Sequence, residues 1–292
     1  MDRRGLLKTV LLGASALVLR PRLAIASNAD DATAKLAALE RQHGGRLGVS
    51  ILDTGNGHRM AHRGDERFLM CSTFKLMAVA TVLARVDRGS EKLDRRIVFG
   101  KDVVLSYAPI TSHRVGAPGM SVAELCQAAI TVSDNTAANL LLTSLGGPAA
   151  VTAFVRSLGD PLTRLDRTEP DLNIASPGDI RDTTTPNAML ATMQKVLLGN
   201  ALADSSREQL LAWLRACSTG ADKLRAGVPA GWMVGDKTGS GAQNETNDIA
   251  ILYPPQRKPL LVTVYYRPAD TSVDAAARNA VIAAVGHIAA AI

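Results

Sequence analysis

The sequence predicts a two-lobed α/β (α+β) fold: an antiparallel sheet flanked by helices and built from both chain ends, a central all-helical lobe, and an active site between them. Three observations carry this. Strand-like alternation is confined to residues 46–69 and 231–266, while helical spacing dominates from about 90 to 215. At 292 residues, 47% hydrophobic and 21% charged, the chain has an ordinary globular composition with ample material for a large core, and no repeat or low-complexity tract interrupts it. The expected sheet lobe is 27–70 with 216–292, and the helical lobe 71–215.

Residues 1–26 stand apart. Arg3, Arg4 and Lys8 precede an apolar run over 9–19 that is too short to span a bilayer, and Ala24-Ile25-Ala26 offers the small residues of a signal-peptidase site. Arg3-Arg4-Gly5-Leu6-Leu7-Lys8 resembles a twin-arginine export signal, although Asp2 and Leu6 depart from the usual pattern. The expectation is a twin-arginine-like signal peptide over 1–26, a mature domain over 27–292, and a periplasmic or secreted location. Five basic side chains and one Asp leave with the segment, which takes the net charge from +6 to about +2.

The remaining elements follow in order. Residues 29–44 have helical spacing and run into Gly44-Gly45; 46–54 alternate as a strand; Gly55-Asn56-Gly57 signals a turn; and 58–69 read as short strands. Residues 72–88 form a helix ending at Gly89, and its unbroken apolar run argues for burial on all sides. Further helices are expected over 121–131, 136–145, 148–158 and 187–199. Residues 162–186 lack either period and contain Pro170 and Pro177, and so long an irregular segment in a compact protein is usually functional. Strands return over 231–235, 247–253 and 259–266, and a last helix runs from about 273 to the end.

Several function classes lack support. No basic stripe with interleaved aromatics suggests nucleic acid. Cys71, Cys126 and Cys217 are an odd, scattered set without CxxC, and the five histidines are dispersed, so neither a disulfide framework nor a metal site is expected. No cofactor, stable membrane association or obligate partner is indicated, and a monomer suffices.

Three short motifs carry chemistry. Ser72 and Lys75 are spaced i, i+3, on one helix face, and the apolar residues behind them would desolvate the lysine and lower its pKa, so that it could accept a serine proton. By itself the spacing arises often by chance, and a serine at a helix start is usually a cap. Ser133-Asp134-Asn135, between two helices, offers a hydroxyl to relay a proton and an amide to bind a substrate amide, yet the same residues are the preferred caps. Lys237-Thr238-Gly239-Ser240, following the strand over 231–235, combines a cation, two hydroxyls and a glycine allowing close approach, which suits a carboxylate; it also fits a plain strand-to-turn transition.

Together and in this order, SxxK, SDN and KTG form the signature of penicillin-recognising serine enzymes. Arg167-Thr168-Glu169-Pro170-Asp171-Leu172-Asn173 adds a segment similar to the Ω-loop of one branch, so the mature chain resembles a class A serine β-lactamase throughout. The resemblance implies that Ser72 is the acylated nucleophile, with Lys75, Ser133 and Glu169 as catalytic partners. It implies that backbone N–H groups of Ser72 and Ser240 form an oxyanion hole, and that Glu169 with Asn173 directs the hydrolytic water. Asn135 would bind the acylamido side chain, Lys237, Thr238, Gly239 and Ser240 the substrate carboxylate, and Tyr107 would wall the entrance. Arg167 and Asp182 stand where the family closes the loop with a salt bridge. The chain also departs from the family. No arginine follows KTG in 242–247, so Lys223 is the candidate substitute; Arg225 is expected to pair with Asp236; and Thr168 stands where an aromatic is common. The disulfides of some relatives lack their partners here, Ser240-Gly241 for Cys71 and Val79 for Cys126, and Ser240 is shared with relatives that handle oxyimino-cephalosporins. The rival readings are a DD-peptidase and a non-hydrolysing penicillin-binding sensor.

Overall fold

The computed structural model describes residues 28–174 and 176–292; the expected signal segment over 1–26 lies outside them. In chain order the elements are α1 (Asn28–His43), β1 (Arg46–Asp53), β2 (Arg59–His62), β3 (Phe68–Leu69), α2 (Phe74–Asp87), β4 (Arg96–Ile97), β5 (Met120–Ser121), α3 (Val122–Thr131), α4 (Asn135–Leu145) and α5 (Pro148–Ser157). They continue with β6 (Thr183–Thr184), α6 (Pro186–Leu197), α7 (Asp204–Arg215), β7 (Met233–Ser240), β8 (Thr246–Tyr253), β9 (Leu260–Arg267) and α8 (Ala275–Ala290).

The main sheet has five antiparallel strands in the order β2-β1-β9-β8-β7, so the two chain ends meet at the β1–β9 ladder, where Arg46 pairs with Arg267 and Asp53 with Leu260. Both faces are covered, and each strand splits its residues by parity. Ala250, Leu252, Val262 and Val264 join α1 and α8 in one apolar cluster. Ile249, Ile251, Leu261 and Tyr265 join the helices of the other lobe in a second. The axis of that second cluster is α2, buried without a break from Phe74 to Ala84 and packed against α3, α4, α5 and α7.

Three expectations change. Residues 90–120 are not helical: they hold 3-10 turns at 101–103 and 111–113 and the short ribbon β4–β5. Pro109, Pro118 and the left-handed Gly116 and Gly119 prevent a helix there, and a Cβ on Gly119 would lie 2.1 Å from the carbonyl oxygen of Ile97. Second, α6 lies against β1 and β9 of the sheet, so part of the presumed helical lobe covers the sheet instead. Third, β7 does not stop at residue 235 but continues to Ser240, because its whole length pairs with β8. The KTG motif is therefore edge strand, and no single described helix is long and apolar enough to cross a membrane.

Candidate active site

Ser72 does not start α2 directly. It sits in a 3-10 turn over 71–73 entered through Cys71, whose φ of +47° is left-handed. The turn backs onto β7 so closely that a Cβ on Gly239 would stand 2.9 Å from the carbonyl oxygen of Met70. Glycine at KTG is thus required by the approach of the Ser72 turn. Lys75, one turn further into α2, is fully buried beneath the cleft.

The Lys75 ammonium has four partners: Asn135 Oδ1 at 2.6 Å, the Ser133 carbonyl at 2.8 Å, Glu169 Oε1 at 3.1 Å and Ser133 Oγ at 3.3 Å. Burial pushes its pKa down, and the Glu169 carboxylate opposes that shift. Lys237 is also fully buried and donates to Ser133 Oγ at 3.0 Å and to the Thr238 carbonyl at 2.9 Å. Burial, with the Lys75 charge in the same direction, pushes it down to about 8. Two lysines donating to Ser133 Oγ occupy both of its lone pairs, which leaves its own O–H to point away from them.

The SDN motif divides by role. Asp134 is the cap that a structural reading suggests: Oδ1 accepts from the Ala137 N–H at 2.9 Å, and Oδ2 from the N–H groups of Ile110 and Thr111 at 3.0 and 2.9 Å. Ser133, at φ +59°, and Asn135 turn towards Lys75 instead. With Asn135 Oδ1 occupied by that ammonium, its NH₂ is the group left for a ligand carbonyl.

Glu169 closes the arrangement. Ser72 Oγ donates to Glu169 Oε1 at 3.1 Å, and Asn173 Nδ2 donates to Oε2 at 2.5 Å. Asn173 Oδ1 is buried and takes no hydrogen bond from described groups. The Glu169 backbone is gripped at both polar groups by Asn139, with N–H to Oδ1 at 3.0 Å and Nδ2 to the carbonyl at 2.8 Å. Sequence reasoning missed Asn139; its signal was the i, i+4 spacing from Asn135 on α4. The expected Arg167–Asp182 ion pair is present at 2.5 Å, and Asp182 Oδ1 also accepts the N–H groups of Asp166 and Arg167.

Above these buried groups lies a cleft of about 300 Å³ lined by Ser72, Tyr107, Ser133, Asn135, Asn173, Lys223, Thr238, Gly239 and Ser240, together with Thr219, which the sequence had not suggested. Thr219 and Thr238 share a hydroxyl hydrogen bond of 2.5 Å. Tyr107 is half-exposed at the rim, and its carbonyl accepts the Asn135 N–H at 3.0 Å. Lys223 reaches the edge only partly: its Nζ donates to Asn279 Oδ1 on α8 at 2.9 Å. Arg225 pairs with Asp236 at 2.5 Å, away from the cleft. All three cysteines are free and buried, and burial pushes the Cys71 thiol well up, which makes it a poor nucleophile beside Ser72.

The chain is similar to known proteins of one family. The model of the β-lactamase enzyme family matches residues 31–292. The chain is 46% identical over 282 residues to the β-lactamase OXY-1 of Klebsiella oxytoca, covering 96% of each chain. It is 47% identical over 262 residues to the β-lactamase CTX-M-8 of Citrobacter amalonaticus, covering 90% of this chain and 89% of that one. Among solved structures, an ancestral class A β-lactamase superposes with a TM-score of 0.86 at 61% identity, over 88% of this chain and 98% of the other. A putative class A β-lactamase, PenP, from Rhodopseudomonas palustris gives a TM-score of 0.87 at 55% identity, over 90% and 99%.

Proposed function

The chain belongs to the β-lactamase enzyme family, class A, and from that premise we propose how its cleft hydrolyses β-lactams and so confers resistance to them. Ser72 Oγ attacks the lactam carbonyl while its proton passes to the buried Lys75–Glu169 pair, in which Glu169 Oε1 lies 3.1 Å from both Ser72 Oγ and Lys75 Nζ; in Glu169→Ala, Lys75 alone takes it. The backbone N–H groups of Ser72 and Ser240 receive the developing oxyanion, each worth on the order of 3 kcal/mol in such a site. The C–N bond breaks, the outward O–H of Ser133 protonates the leaving nitrogen, and the proton taken from Ser72 returns to Ser133 Oγ through Lys75 Nζ, 3.3 Å away. Glu169 and Asn173 then direct a water onto the acyl ester; its proton passes to Glu169 and from there to Ser72 Oγ as the ester C–O bond breaks, which regenerates Ser72 and releases the product acid. Asn135 binds the acylamido carbonyl, Tyr107 walls the entrance, and Lys237, Thr238, Ser240 and Lys223 surround the carboxylate, with Gly239 letting β7 pack against the Ser72 turn.

The observation that carries this reading is Glu169 itself, 3.1 Å from both Ser72 Oγ and Lys75 Nζ. A DD-peptidase or a penicillin sensor needs the nucleophile but not a second, water-activating base. The test is hydrolysis of a chromogenic cephalosporin, with mass spectrometry of the protein. The parent turns over, Glu169→Ala accumulates an adduct on Ser72, and Ser72→Ala does neither. A parent that acylates once and stops would replace hydrolysis with sensing or peptidase chemistry.

The enzyme works as an exported monomer, carried by the twin-arginine-like segment over 1–26. Replacing Arg3 and Arg4 by Lys should retain the precursor inside the cell; undiminished export would exclude that route.

A further inference from the structure

Behind the edge strand carrying Lys237 and Thr238 lies a second group of charges that the acyl-enzyme scheme does not use. Asp248 on β8 stands directly across from Thr238, and Asp236 is its diagonal neighbour on the same face of the sheet. Both carboxyls are fully buried. Asp236 Oδ1 takes the Arg225 guanidinium at 2.5 Å, and Asp248 Oδ2 accepts the Leu224 N–H at 3.2 Å. Each keeps one buried oxygen without a hydrogen bond among the described residues, an arrangement costly to maintain in a fold. The loop before Leu224 is drawn tightly over this group, since a Cβ on Gly220 would lie 2.0 Å from Asp236 Oδ2.

The residue just before Leu224 is Lys223, which lines the cleft and whose ammonium donates to Asn279 Oδ1. Burial pushes Lys223 down, Asp248 and then Asp222 and Asp236 hold it up, and Arg278 opposes them. Burial and Asp236 push Asp248 up, while Lys223 and Lys237 pull it back.

We propose that Asp248 is a positioning residue for Lys223: by anchoring the N–H of the next residue, Leu224, it fixes the backbone from which Lys223 reaches the carboxylate of a bound β-lactam. This rests on the hydrolytic reading above. Asp248 never touches substrate, so its effect must pass through Lys223.

The experiment is a double-mutant cycle of Asp248→Ala and Lys223→Ala, with steady-state kinetics on a β-lactam bearing a free carboxylate and on its methyl ester. Each single variant should raise KM for the acid about tenfold, the size of one charge-assisted contact, with a much smaller change in kcat. The double variant should be no worse than Lys223→Ala alone, and both penalties should shrink on the ester. Asp248→Asn, which keeps an acceptor for Leu224, should recover part of the loss; it also serves the cycle if thermal melting shows that Asp248→Ala does not fold. Additive KM effects, equal losses on acid and ester, or a fall in kcat at constant KM would make Asp248 merely structural and overturn the inference alone. A parent without turnover on either substrate would overturn the hydrolytic reading and this one with it.

Discussion

Ser133 Oγ lies between two buried lysines, 3.3 Å from Lys75 Nζ and 3.0 Å from Lys237 Nζ, and the titration of those lysines sets how the site responds to pH. Lys237 is held down to about 8, so its charge is present below that pH and lost above it. The sign for activity is a decline: kcat/KM for a carboxylate substrate should fall on an alkaline limb with an apparent pKa near 8, expressed mainly in KM. Stability moves the other way. Between about 8 and the ordinary 10.5 the unfolded chain binds the proton that the folded chain has lost, so Lys237 contributes increasing stability as pH rises through that window. A pH profile of KM checks this, and an alkaline limb of the same size on an esterified substrate would assign it to another group. At this scale the sequence was informative where a residue belongs to a motif. Ser72, Lys75, Ser133, Glu169 and Lys237 meet as their order implied. Asn139, Thr219, Asp248 and Asn279 act through contacts made by distant segments; Asn139 carries only the i, i+4 spacing from Asn135, and no local pattern marks the others.

The irregular segment over 162–186 shows how an element without periodicity can still be held in one place. Its two ends are tied by Arg167 and Asp182, and its centre is tied to α4 by Asn139. The lack of either period was visible in the sequence. The anchoring was visible only in part, because Asn139 lies on a helix some thirty residues away. The strand pattern before KTG stops at residue 235 in the sequence, which left a strand-to-turn transition open; pairing with β8 extends the strand through KTG to Ser240. Asp182→Asn separates charge from geometry in the irregular segment. Asp182 has a φ of +57°, which asparagine tolerates, and asparagine keeps an acceptor for the N–H groups of Asp166 and Arg167. What is lost is the ion pair with Arg167, itself partly exposed, at a cost of about 1–3 kcal/mol. The expected result is faster proteolytic cutting within 166–182 and a deacylation rate that falls by a larger factor than acylation, because Glu169 acts from this segment. Equal slowing of both steps would show that the pair supports the whole fold and not the placement of Glu169.

The sheet has helices on both faces, and its two apolar clusters are not equivalent. One is a local layer formed with α1 and α8. The other joins Ile249, Ile251, Leu261 and Tyr265 of the sheet to the helices around α2. The two-lobed reading came from where strand and helix periods fall along the chain. That pattern says nothing about which sheet face the helices share, nor that α6 would cross to cover β1 and β9. Because one core spans both lobes, neither can lose its packing while the other keeps its own, and the molecule should unfold in a single transition with equal calorimetric and van't Hoff enthalpies. Ile251→Ala tests this at the shared core. The side chain is fully buried, so truncation should cost about 2–5 kcal/mol, which for a chain of this size lowers Tm by roughly 5–15 °C. The transition should move as one, with loss of helical circular dichroism and loss of activity coinciding. If Ile251→Ala instead splits the melt into two steps, with the helical signal surviving the first, the lobes are separable and the shared core does not couple them.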